Sequence, residues 1–127
     1  MPLILEALPQ PLAVCKVNGP LAMGPEQGFF VYAQTDCERS LVCAESGVPP
    51  DALACERGFQ GYRVRGTLDF SLVGILARLT AALAEGGISV FAVSTYDTDY
   101  LLVRQADAKA AETAWRAAGA AVAETQG

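Results

Sequence analysis

From Tyr62 onward, the spacing of apolar residues switches between two and about 3.6 in a fixed order, and that order leaves few folds open. Tyr62-Arg63-Val64-Arg65-Gly66-Thr67 alternates apolar and polar residues, as a half-buried strand does. Asp69 and Ser71 then offer helix N-cap oxygens. Apolar residues follow at Leu72, Ile75, Leu76, Leu79 and Leu83, which puts one stripe on a helix running to Glu85. Gly86-Gly87 supplies a left-handed stop. Ile88 to Thr95 is rich in β-branched and aromatic residues and reads as a strand. Tyr96-Asp97-Thr98 is a turn, and Asp99 to Arg104 is the returning strand. Asp107 can cap a second helix with Ala111, Ala114, Trp115 and Ala118 on its inner face. Lys109, Glu112 and Arg116 point outward on that helix. Gly119 ends it, and Ala120 to Glu124 forms a last strand.

Strand, helix, strand, strand, helix, strand is the split-βαβ, ferredoxin-like arrangement, an α+β class. Right-handed crossovers place both helices on one face of an antiparallel sheet. The other face then needs cover, from the first half of the chain or from a second subunit. That first half, residues 1–61, is less regular. Leu12 to Val17, Phe29 to Gln34 and Ser40 to Glu45 read as strands, and Ala52 to Glu56 as a short one. Gly19-Pro20, Gly24-Pro25 and Val48-Pro49-Pro50 punctuate it, with no convincing helix. It reads as a reduced version of the module in residues 62–127.

Composition narrows the function. A chain of 127 residues fits one domain or two small ones. A net charge of −5 without a dense Lys/Arg run argues against nucleic acid and anionic membrane surfaces as partners. No apolar run reaches transmembrane length, and the first ten residues lack a basic signal-like segment, so a cytoplasmic location is expected. There is no histidine, which removes the commonest general base and the Ser-His-Asp and Cys-His arrangements. Cys15, Cys37, Cys43 and Cys55 form no C-x-x-C pair, so no metal or other cofactor is expected. Cys15 and Cys43 sit in apolar runs and read as small buried hydrophobes rather than disulfide partners.

Three segments could carry chemistry. In Gly66-Thr67-Leu68-Asp69-Phe70-Ser71-Leu72-Val73-Gly74-Ile75 a strand ends and a helix begins with a glycine in its first turn. Its free N–H groups suit a carboxylate, and Gly74 permits close approach; the alternative is a well-capped helix packed on the sheet. In Ser94-Thr95-Tyr96-Asp97-Thr98-Asp99-Tyr100, two carboxylates two residues apart project to one side of an extended chain. They suit an ammonium group or a divalent cation; the alternative is a solvated turn. Gln34-Thr35-Asp36-Cys37-Glu38-Arg39-Ser40 reads as a capped surface hairpin.

The segments Gly66 to Leu76 and Ile88 to Val103, above all Ser94-Thr95-Tyr96-Asp97-Thr98-Asp99-Tyr100-Leu101-Leu102-Val103, resemble small bacterial tandem-ACT proteins. They are also similar to the ACT repeats of the mammalian cytosolic arginine sensor and of aspartate kinases. Gln34 to Cys43 is similar to the family's first-half hairpin more loosely, with Arg39 where an aliphatic residue is usual. The resemblance implies a ferredoxin-like ACT module preceded by a reduced ACT-like half. It implies an amino acid ligand held by Leu72, Val73, Gly74, Thr95, Tyr96, Thr98 and Asp99, where modules pair through their sheets. A homodimer or an intrachain pairing that closes the sheet edge is expected, with a regulated enzyme as a further partner. The expected function is a non-catalytic amino-acid sensor. The alternative is an association module that binds nothing small. An enzyme using Asp97 and Asp99 with a metal ranks last, because two carboxylates on one hairpin rarely suffice.

Overall fold

The computed structural model describes residues 3–19, 28–65 and 74–124. The chain divides into two compact units, one of Met1–Pro9 with Gln60–Gly127 and one of Gln10–Phe59. Strand β5 (Ala54–Val64) contributes its first half to the second of these and its end to the first. The sequence suggested two separate strands there. They are one, because Arg57-Gly58 is absorbed as a bulge: the register against β2 (Leu12–Lys16) shifts by one residue between Leu12 and Val14. Gly58 has φ +81°, and its N–H donates to Glu45 Oε2 at 2.6 Å.

The larger unit holds the last strands and, among the described residues, both helices. β1 (Ile4–Ala7) pairs antiparallel with the end of β5 and parallel with β8 (Ala121–Glu124). β7 (Asp99–Arg104) pairs with β5 and with β6 (Phe91–Ser94), giving the order β6-β7-β5-β1-β8. This is the expected ferredoxin-like α+β arrangement with one addition. β1, in a segment the sequence left unassigned, sits between the strands that open and close the βαββαβ unit.

Helices α1 (Ile75–Glu85) and α2 (Ala108–Ala117) share a core with the sheet. Leu79 and Leu83 of α1 and Ala111 and Trp115 of α2 pack with Leu5, Tyr62, Val64, Leu101 and Val103. Ile75 and Leu76 border this core, as the stripe required, while Leu72 lies outside the described residues. Both helices stop in the same way. Gly87 (φ +71°) donates to Ala84 O and Ile88 to Leu83 O; Gly119 (φ +96°) donates to Arg116 O and Ala120 to Trp115 O. These are Schellman closures, each followed by an apolar residue that returns to the core.

Four details differ from the sequence reading. Ile88 is taken up by the helix stop, so β6 starts at Phe91. Asp107 ends a 3-10 turn (Gln105–Asp107) and makes no side-chain cap to α2. Ala118 is exposed, since the closure at Gly119 lifts it off the inner face. Glu112 does not simply face solvent: it accepts a 2.6 Å hydrogen bond from the hydroxyl of buried Tyr62. Burial foremost, together with that carboxylate, raises the Tyr62 pKa.

In the smaller unit the order is β3-β4-β2-β5, with β3 (Phe30–Gln34) and β4 (Arg39–Ala44) forming a hairpin. Its core is Ala13, Cys15, Val17, Leu41 and Cys43 on one sheet face, bordered by Phe30, Tyr32 and Cys55.

Candidate ligand-binding site

The hairpin between β6 and β7 is closed by its own residues. Thr95 N donates to Thr98 O at 2.9 Å, and the Thr95 hydroxyl donates to the same carbonyl at 3.0 Å. Thr98 N in turn points at the Thr95 hydroxyl at 3.4 Å. A threonine that bonds the backbone three residues on fixes a turn without glycine. Thr98 itself is buried, and its hydroxyl donates to Val64 O, the last residue of β5, at 2.8 Å. The hairpin is therefore tied to the point where the chain leaves β5 toward α1.

What the turn presents is then clear. Tyr96 is 81% exposed, and Asp97 is exposed beside it. Asp99 opens β7 opposite Ser94, half-buried, and accepts the Ser94 hydroxyl at 2.6 Å. Asp97 lies in the bend rather than on an extended chain, so the same-side argument for Asp97 and Asp99 does not hold. Ser94 was not among the expected site residues, although its cross-strand position opposite Asp99 follows from the turn length.

Gly74 is the residue before α1 rather than part of its first turn. It has φ +84° and accepts from Arg78 N through its carbonyl at 2.9 Å. Among the described residues, and apart from its own chain neighbours, no atom lies within 4 Å of where its Cβ would stand. Leu72 and Val73, the other expected residues of this segment, lie outside the described residues, as do Asp69 and Ser71.

On the sheet face away from the helices, Glu6 of β1 stands opposite Arg63 of β5. Arg63 reaches Glu6 Oε1 at 3.0 Å and Arg65 reaches Oε2 at 3.3 Å. Burial pushes the Glu6 carboxyl upward, but the two guanidinium groups outweigh it and hold its pKa below the ordinary value.

The smaller unit carries a second hairpin with the same closure. Thr35 N donates to Glu38 O at 2.9 Å, and the Thr35 hydroxyl accepts from Cys37 N and Glu38 N at 3.1 Å each. In both hairpins a six-residue strand follows (Arg39–Ala44, Asp99–Arg104) and runs directly into a three-residue 3-10 turn.

Two helices against one face of a mostly antiparallel sheet make the larger unit a ferredoxin-like α+β module. Residues 56–116 match the family model described as ACT domain. No curated protein matches the sequence. Among solved structures, a protein of Agrobacterium tumefaciens is similar over 100% of this chain and 96% of its own, at 26% identity and TM-score 0.89. A Vibrio cholerae protein of unknown function is similar over 92% of this chain and 90% of its own, at 23% identity and TM-score 0.68. The aspartate kinase of Clostridium acetobutylicum, described as an allosteric enzyme, shares the fold over 91% of this chain and 34% of its own, at 11% identity and TM-score 0.64. Among the described residues, no helix is long and apolar enough to cross a membrane.

Proposed function

We propose that this protein is a non-catalytic sensor whose ACT domain binds a small amino acid at the hairpin Thr95–Asp99 and the start of α1. The observation that carries the reading is the ACT-domain match over residues 56–116, which spans both β5's end and the hairpin tied to it through Thr98. A helix N-terminus suits the ligand's carboxylate, and Asp99 suits its ammonium group or a cationic side chain. Leu72, Val73, Gly74, Thr95, Tyr96, Thr98 and Asp99 form the proposed site, with Ser94 orienting Asp99. Thr95 and Thr98 serve it by shaping the turn, since their hydroxyls are engaged within the fold.

Two features support a wider version of this reading. The matching hairpin closures favour a smaller unit that is a reduced copy of the ACT module. The fold shared with an allosteric aspartate kinase favours a regulatory role, in which ligand binding alters pairing with a second copy or with an enzyme partner. The association-only reading keeps one specific support: Phe91, at the start of edge strand β6, is 46% exposed.

The test is a thermal-shift screen of the common amino acids at millimolar concentration, followed by calorimetry on any ligand found. A ligand at about 100 times its Kd stabilises the folded state by about 2.7 kcal/mol. If no amino acid moves Tm, the association module is the better description.

A further inference from the structure

Cys15 of β2 and Cys55 of β5 stand directly opposite each other in the antiparallel pairing, with their Sγ atoms 2.8 Å apart. Opposed residues of antiparallel strands have Cα atoms roughly 4.5–5.5 Å apart. A disulfide spans Cα separations of roughly 4.4–6.8 Å, so the bond can close without moving the backbone. The other two cysteines are placed differently. Cys43 is buried on β4 opposite Ala13, and Cys37 lies in the exposed hairpin, with its thiol directed at Asp36 Oδ1 at 3.4 Å. Cys15 is 3% exposed, whereas Cys55 is partly open to solvent.

We propose that Cys15 and Cys55 form a reversible dithiol–disulfide pair that reacts with low-molecular-weight disulfides. Cys55 supplies the first nucleophile because it is the more exposed residue of the two. Its thiolate attacks one sulfur of the small disulfide, forms a mixed disulfide and expels one small thiolate. The Cys15 thiolate then attacks Cys55 Sγ, forms the cross-strand bond and expels the second small thiolate. The two protons lost by the cysteines end on the two released thiols, and the protein's two-electron oxidation matches the reduction of the small disulfide. Burial foremost, with the adjoining Cys55 thiol, raises the pKa of the Cys15 thiol, which assigns it the resolving step rather than the opening one.

The experiment uses the full chain carrying Cys37→Ser, which removes the exposed thiol and leaves three of the four cysteines. The folded protein is treated with hydroxyethyl disulfide, unfolded, and alkylated. The alkylatable thiols should fall from three to one, peptide mapping should join Cys15 to Cys55, and dithiothreitol should restore all three. A cross-link enclosing a loop of forty residues should raise Tm by on the order of 10 °C. Adding Cys43→Ser should leave this conversion intact. Three thiols still free after oxidation, a link through Cys43, or a mixed disulfide that persists on Cys55 would each overturn the proposal.

Discussion

Thr98 and Asp99 are neighbours in the chain with different surroundings, and single substitutions separate what each does. Thr98→Val keeps the shape but leaves Val64 O without its hydroxyl donor, so it should cost ~1 kcal/mol in urea unfolding. Asp99→Asn keeps both shape and the Ser94 contact, so its effect on unfolding should be small. On the proposed reading it weakens amino acid binding by roughly 1.5–3 kcal/mol, measured by calorimetry. Unchanged affinity in Asp99→Asn would place the ligand elsewhere. Gly74→Val is a poor probe of the same site, because a β-branched residue at φ +84° adds backbone strain to any steric block. Glu6 sets a pH dependence. Its folded pKa lies below that of the unfolded chain, so its contribution is complete above the ordinary glutamate range and is lost as pH falls through the folded value. Stability measured by denaturant titration should decline over that acidic window, and Glu6→Gln should flatten the decline.

At the scale of elements, the two Schellman closures make a comparable pair of tests. Gly87 and Gly119 both have positive φ, and among the described residues a Cβ at either would meet nothing within 4 Å. The cost of alanine at each is therefore conformational, ~1–2 kcal/mol, with no steric share. Chemical denaturation of Gly87→Ala and Gly119→Ala checks it, and a much larger loss would mean that packing is disturbed. These stops were legible in the sequence because glycine after an apolar stripe is a local signal. The α1 stripe, the β6–β7 turn and the returning strand were legible for the same reason. β1 was not. Ile4–Ala7 is four residues long with no alternation of its own, and its strand character comes from Val64 and Val122, far along the chain. Nor could spacing reveal that Arg57-Gly58 is a bulge inside one strand, since a glycine beside a charge reads as a break. At the candidate site, the residue types of the hairpin were legible. Their division into an exposed Tyr96, a half-buried Asp99 and a buried Thr98 depends on β5, which no local pattern reports.

For the whole molecule, the testable statement concerns association. Within the larger unit, among the described residues, β6 has β7 and β8 has β1 as its one neighbouring strand, and β8 is short and alanine-rich. Edge strands of this kind favour pairing with another chain. Light scattering at low micromolar concentration should give a dimer mass, and an amino acid that raises Tm should also shift the dimer equilibrium if binding and pairing are linked. A monomer under all these conditions would separate the ACT fold here from self-association.

The position of β1 has a consequence for how the protein comes to exist in time. Of the described strands, β1 leaves the ribosome first and β8 last, yet they lie side by side, with Leu5 next to Val122. Between β1 and its other neighbour, β5, the chain makes the whole smaller unit, whose strands pair among themselves. That unit can close while synthesis continues, whereas β1 gains its first neighbour only when the end of β5 emerges and its second only with β8. Contacts of this sequence separation form slowly because the intervening chain must be ordered before they stabilise anything. The larger unit, and with it any ligand site it holds, is therefore completed only after the smaller one, and β1 is open to wrong pairing in the interval.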